Sequence, residues 1–120
     1  GETLLLNSLK TNNEFSFVYR NGKSYANKYL VMYAVENGLG SNRIGISVSK
    51  KVGNSVVRHR VTRLIRESYR LNQAAFHTGY DIVVVARAGA KGKGYSDIDS
   101  AVMHLIKLHR IVIRSAVKSE

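Results

Sequence analysis

The chain has 120 residues, 44% of them hydrophobic, enough for one core and too few for two. Nineteen Lys and Arg stand against eight Asp and Glu, a formal charge of +11, and a compact body with that excess repels itself unless a polyanion relieves it. With no cysteine present, a disulfide framework and a thiolate zinc site are excluded, and a reducing compartment, the cytoplasm, is the expected location.

Taken in chain order, the first residues carry an apolar patch at Leu4, Leu5 and Leu6 without a basic leader or an extended apolar run. Neither a signal peptide nor a membrane span is expected there. Residues 1–11 read as a loosely ordered segment of a single domain spanning 1–120. Asn12 is placed to cap a short helix, with Asn13 and Glu14 in its first turn and Phe15, Val18 and Tyr19 at helical spacing, and Asn21-Gly22 ends it.

Lys23 to Glu36 is rich in Tyr and Val and reads as a strand, with Asn27 the point at which it would break. Tyr29, Val31, Tyr33 and Val35 share one face, and Leu30, Met32 and Ala34 the other. After the turn Asn37-Gly38-Leu39-Gly40, a second strand runs from Arg43 to Ser49, where Ile44, Ile46 and Val48 alternate with Gly45, Ser47 and Ser49. A long helix is expected from Asn54 to about His77. The unbroken run Ile82-Val83-Val84-Val85 makes Tyr80–Ala86 a buried strand. Ser96 is placed to cap the last helix, with Asp97 and Asp99 in its first turn and an apolar stripe of Ile98, Ala101, Val102, Leu105, Leu108 and Val112. Lys107, Arg110, Arg114 and Lys118 fall toward its C-terminal half. The order predicts an α/β sandwich, with helices packed on a mixed sheet.

The long central helix carries the unusual chemistry. Seven of the 19 basic residues, Lys50, Lys51, Arg58, Arg60, Arg63, Arg66 and Arg70, lie in 21 positions with Glu67 as the one acid. At about 100° per residue, Val57, Val61, Leu64, Ile65, Leu71 and Ala75 form a core face. His59, Arg63, Arg66 and Arg70 cluster opposite, with Arg58 and Arg60 at the margins. An arginine forks two hydrogen bonds onto a phosphate or a base edge, which a lysine cannot. Solvated helix faces usually mix both signs in salt-bridged pairs, and the scarcity of acids here favours nucleic-acid contact over that bland reading. The turn before the helix adds Gly53, where backbone can approach closely, and a helix N-terminus whose N–H groups attract anions; an ordinary cap by Asn54 or Ser55 is compatible with both.

The string from Lys50 through Glu67, KKVGNSVVRHRVTRLIRE, resembles the signature of the bacterial ribonuclease P protein subunit. The resemblance continues through Asn13-Glu14-Phe15, Arg20-Asn21-Gly22, Ala26-Asn27, the strand Gly45 to Ser49 and Asp81 to Arg87, and covers roughly residues 12–112. The family usually carries asparagine where this chain has His59, and a long basic residue where it has Thr62.

The resemblance implies an αβββαβα order around a four-stranded mixed sheet, with a left-handed βαβ crossover against the usual preference. It implies a small basic helper of a catalytic RNA that removes the 5′ leader of precursor tRNA. Chemistry is then carried by the RNA, with Mg2+ expected for the holoenzyme and no cofactor expected on the protein. Carried over, Lys51, Asn54, Arg58, Arg60, Arg63 and Arg66 become RNA contacts, and Lys50, His59 and Arg70 complete the expected RNA-binding set. Phe15, Tyr19 and Tyr33 become the lining of a cleft for the single-stranded leader, since aromatic faces stack on unpaired bases whatever their identity. Taken alone, the i, i+4 spacing of Phe15 and Tyr19 equally describes packing on a sheet.

Three alternatives compete with this reading. A hydrolase would need clustered carboxylates or paired histidines, yet Asp81, Asp97 and Asp99 are apart from the basic surface, and His59, His77, His104 and His109 form no motif. His109 falls on the apolar stripe of the last helix and reads as a packed histidine. A ribosomal or ribosome-assembly RNA-binding protein would share the arginine helix without an aromatic cleft. A peripheral membrane protein held by charge would show a lipidation motif or a basic helix with bulky apolar residues. The expected partners are thus the catalytic RNA and precursor tRNA, with no membrane and no obligate protein partner.

Overall fold

Residues 6–113 are described in a computed structural model of the chain; Leu4, Leu5, Arg114 and Lys118 lie outside the described residues. Helix α1 (Asn12–Asn21) is followed by β1 (Lys23–Ala26), β2 (Leu30–Glu36), β3 (Arg43–Ser47), α2 (Ser55–Asn72), β4 (Tyr80–Ala86) and α3 (Tyr95–Leu108). Single 3-10 turns at Gln73–Ala75 and Ala88–Ala90 complete the path.

Each boundary has a local cause. The cap of α1 is Thr11 rather than Asn12: its Oγ1 accepts from Glu14 N at 3.1 Å, and Glu14 Oε1 accepts from Thr11 N at 3.1 Å. That reciprocal pair satisfies two orphan donors, which Asn12 could not do with the residues that follow it. The stretch Lys23–Glu36 is a hairpin rather than one strand. Asn27 Oδ1 accepts from Tyr29 N and Leu30 N at 3.2 and 3.0 Å, holding a tight turn. Within the expected loose segment, residues 7–9 are held in place by backbone hydrogen bonds. Leu9 N donates to Ile44 O and Ile44 N to Asn7 O, at 3.0 and 2.9 Å, so residues 7–9 run beside β3 and Leu9 is buried.

Helix α3 begins at Tyr95, with Gly94 and not Ser96 in the cap position, and stops at Leu108. Arg110, at φ 61°, turns the chain. Its N–H donates to Lys107 O and that of Ile111 to Ile106 O, at 3.0 and 3.1 Å, a Schellman closure with arginine where glycine is usual. Val112 therefore leaves the helix and bridges Phe76. Ile106 is buried in place of Leu108, which is exposed.

The sheet order is β1-β2-β4-β3, with β1-β2 and β2-β4 antiparallel and β3-β4 parallel. Strand alternation divides its residues between two layers. Leu30, Met32, Ala34, Ile44, Ile82 and Val84 join the main core with Val61, Ile65 and Tyr69 of α2 and Ile98, Val102 and Leu105 of α3. Val83 faces the other way, into a small cluster with Leu9 and Val18 beneath α1.

Polar networks hold the layers in register. Asp99 Oδ1 accepts from Ser68 Oγ at 2.7 Å, Asn72 Nδ2 at 3.0 Å and Tyr95 Oη at 3.3 Å, latching α3 to α2. At the end of the sheet, Asp81 takes a two-pronged contact from Arg43, Nε to Oδ1 at 2.8 Å and Nη2 to Oδ2 at 2.7 Å, with Asn37 Nδ2 adding a third bond at 2.8 Å. Burial alone would raise the Asp81 pKa, but the bonds from Arg43 and Asn37 outweigh it and hold the carboxyl below its ordinary value. A carboxyl depressed in the folded state contributes stability above its unfolded pKa and loses it as pH falls through the folded value. Asp81→Ala is therefore expected to cost about 2–4 kcal/mol at neutral pH, by leaving Arg43 half-buried and short of its main partner. In urea titrations the gap between variant and wild type should narrow progressively below the ordinary carboxylate range.

Candidate nucleic-acid interface

Helix α2 follows a loop whose geometry prepares its first turn. Val52 is buried and pins the loop. A Cβ on Gly53 would lie 2.7 Å from Val57 Cγ1, so only glycine lets the backbone cross the helix there. Asn54 Oδ1 caps the helix by accepting from Val57 N at 3.0 Å, and Arg58 Nη1 returns to donate to Gly53 O at 3.0 Å. Asn54 and Arg58 thus shape the loop, while Lys50 and Lys51 stand exposed on it.

The buried stripe of α2 is Val61, Ile65, Ser68 and Tyr69. Leu71, expected in the core, is 57% exposed. The stripe is therefore turned from the expected one toward Tyr69, because Ser68 and Tyr69 face α3 and the sheet. The solvent face turns with it. Arg60 moves from the margin to the open side, Arg58 moves inward, and His59, Arg63 and Arg66 remain exposed. Ser55, Val56, His59, Arg60 and Arg63 line a depression of about 510 Å³, and Val56, 75% exposed, is an apolar spot on this cationic surface.

Arg70 differs from its neighbours. It meets Glu67 through Nη2 at 2.7 Å and Nε at 3.2 Å, an exposed pair one turn apart. The hydrogen bond and charge of Arg70 hold the Glu67 carboxyl below its ordinary value. Among the described residues, Arg60, Arg63 and Arg66 have no carboxylate within ion-pair distance.

The aromatic group forms on the other layer. Phe15 and Tyr19 have ring centres 6.5 Å apart, and Tyr19 meets Tyr33 edge-on at 5.0 Å. Tyr19 is 39% exposed, and Phe15 and Tyr33 are half-buried. Phe15 rests on β3 where Gly45 leaves room: a Cβ there would lie 2.5 Å from Phe15 Cζ. Val31 and Val85 pair across β2 and β4 on the same face, half-exposed, and extend this floor. Strand alternation could have nominated them, since each lies two residues from a member of the group or its floor. Strand β3 separates the two surfaces, carrying Phe15 on one face and packing Ile44 and Ile46 toward α2 on the other.

The histidines are dispersed. His109 is half-buried, its Nε2 donating to Met32 O at 2.9 Å, with Tyr25 edge-on at 4.7 Å. Burial holds its pKa below the ordinary value, as befits a packed histidine. Among the described residues, no three His, Asp or Glu side chains gather as a metal site, and no helix is long and apolar enough to cross a membrane.

An α+β fold with an arginine face that, among the described residues, meets no carboxylate at Arg60, Arg63 and Arg66, and with a partly open aromatic platform, has the form of a nucleic-acid-binding protein. The family model for ribonuclease P matches residues 6–110. The ribonuclease P protein component of Lachnoclostridium phytofermentans is 68% identical over 108 residues, 90% of this chain and 93% of that protein. That of Alkaliphilus metalliredigens is 53% identical, over 88% and 96% of the two. The Staphylococcus aureus RNase P protein superposes with a TM-score of 0.83 at 34% identity, covering 90% of this chain and 99% of that one. The Thermotoga maritima protein gives 0.78 at 28%, covering 85% and 96%. The chain belongs to the ribonuclease P protein family.

The glycine under Phe15 provides a probe of the platform. Gly45→Ala is expected to displace the Phe15 ring and shift the Tyr19 and Tyr33 ring signals in NMR spectra. The stability cost should stay within about 1–3 kcal/mol, because the displaced atoms are side-chain tips, those of Phe15 and, at 3.2 Å, Leu9 Cδ1, and not backbone.

Proposed function

We propose that this chain is the protein subunit of ribonuclease P, which binds the catalytic RNA through α2 and its preceding loop and receives the 5′ leader of precursor tRNA on the aromatic platform. The observation that carries the reading is that Arg60, Arg63 and Arg66 are exposed along α2 and lack carboxylate partners among the described residues. Forked guanidinium groups on a rigid helix fit the phosphates of a folded RNA, and neutralising those phosphates releases counterions. Lys50 and Lys51 add point charges at the entrance to the helix. Arg70 contributes after exchanging Glu67 for a phosphate, and His59 and Asn54 flank the contact.

Tyr19, Phe15 and Tyr33 suit unpaired nucleotides, since a ring face accepts any base, and tolerance of many leaders follows. In this reading the phosphodiester is hydrolysed by magnesium ions held mainly by the RNA, and the protein positions substrate. The chain takes part in tRNA maturation as the non-catalytic half of an endonuclease.

The direct test combines the purified chain with a bacterial ribonuclease P RNA and precursor tRNA at low magnesium. Leader removal is expected only with both present. Cleavage by the chain alone would replace helper with enzyme, and an RNA indifferent to the chain would favour the ribosomal alternative.

Two variants test the surfaces separately. About five phosphate contacts correspond to a log–log salt slope near −4 to −5, and Arg66→Ala should weaken binding to the catalytic RNA and flatten that slope by somewhat less than one. Tyr19→Ala should weaken precursor tRNA more than mature tRNA in the holoenzyme, as only the precursor carries a leader. Equal losses on both would return Tyr19 to a packing role.

A further inference from the structure

A second cationic cluster lies away from α2. The β1–β2 turn and the loop after β4 are stacked together: Arg87 N donates to Tyr29 O at 2.8 Å, and Arg87 Nη1 to Asn27 O at 2.7 Å. Gly89 permits the approach, since a Cβ there would lie 2.9 Å from Lys28 O. Lys28 and Lys93 both hold their ammonium groups over the Tyr29 ring, 5.2 and 5.4 Å from its centre. Lys91, between Arg87 and Lys93 in sequence, is exposed. Asp97 shares a depression with Lys28 and Tyr29, but among the described residues no carboxylate comes within ion-pair distance of Lys28, Arg87, Lys91 or Lys93.

Two ammonium groups around one ring repel each other, and the ring quadrupole offsets that only in part. The cluster is pre-formed: Asn27 ties the turn to Ala101 O at 3.1 Å as well as to Tyr29 N and Leu30 N, so little ordering remains to be done on binding. The two ammonium groups beside the ring make the cluster cationic. The chemistry suits phosphate groups and reads no sequence.

Position supplies the partner. Leu30 pairs with Ala86 and Ser47 with Val85, so the start of β2 and the ends of β4 and β3 share one end of the sheet. The loop that follows β3 carries Lys50, Lys51 and the N-terminus of α2. One strand, and so about 10 Å, separates β2 from β3.

We infer that Lys28 and Lys93, seated on Tyr29 and flanked by Arg87 and Lys91, form a second phosphate-backbone contact for the RNA that α2 engages, extending its footprint across the end of the sheet. This inference rests on the RNA-binding reading above.

The experiment measures affinity for ribonuclease P RNA against salt concentration, using the full chain, a Lys28→Gln/Lys93→Gln double variant, the charge-keeping Lys28→Arg/Lys93→Arg variant, and Arg66→Ala. Circular dichroism and thermal melting confirm that each is folded. The glutamine variant should bind about tenfold more weakly, with a slope shallower by about 1.4–1.8, and the arginine variant should restore both. If the glutamine variant keeps wild-type affinity and slope while Arg66→Ala loses them, the second contact is wrong and the α2 reading stands. If neither changes, both fall. A glutamine variant that keeps RNA affinity but no longer binds vesicles containing anionic lipid would overturn the inference in favour of a membrane contact.

Discussion

Because Val61, Ile65 and Tyr69 are buried along one side of α2, the arginines between them have no route except outward. The apolar stripe is gripped twice, by the hydrophobic face of the sheet and by the Asp99 network that ties Ser68 and Asn72 to α3. Rotating the helix would bring arginine into a core of isoleucine and valine, at a desolvation cost of several kcal/mol per ion. Packing therefore fixes the direction in which positive charge is displayed. The same constraint explains the inward position of Arg58, whose guanidinium is spent on the Gly53 carbonyl.

The acids act in the opposite sense. Asp81 and Glu14 are paired with Arg43, and Glu67 with Arg70. Carboxylates so engaged do little to neutralise distant surface cations, and an effective dielectric close to that of water weakens what remains. The outward field is accordingly more one-sided than the count of 19 against eight suggests. Such a field steers a polyanion toward the protein before any specific contact forms.

The sheet keeps two recognition chemistries apart while holding them in fixed relation. One of its faces is the wall of the main core, on which α2 and α3 lie. The other carries α1 and leaves the aromatic platform partly open. Gly45 on β3 joins the two, since its missing side chain seats Phe15 while neighbouring Ile44 and Ile46 reach the core beneath α2. A charged surface and a stacking surface are thus positioned by the same strand, without a flexible linker between them.

The apolar run Ile82-Val83-Val84-Val85, the alternation at 43–48 and the arginine run at 58–70 were legible in the sequence because each is a local pattern with a local physical cause. So were the aromatic candidates, through a resemblance carried by an unusually long motif. Other features depend on contacts between distant segments. Thr11 takes the α1 cap through Glu14, a pair visible in sequence, but Leu9 is buried because β3 passes beside it. Leu71 is exposed and Tyr69 buried because the position of α3 sets the roll of α2; the pairing of Arg70 with Glu67, three residues away on the same helix, is by contrast local. The sequence by itself determined which segments are helix or strand and that one helix carries an arginine face. Only the tertiary structure decided how α2 is rolled and so which of its arginines stand in solvent, and it brought Lys28 and Lys93 to one ring, since charges 65 positions apart meet only when the β1–β2 turn and the loop after β4 are brought together at the end of the sheet.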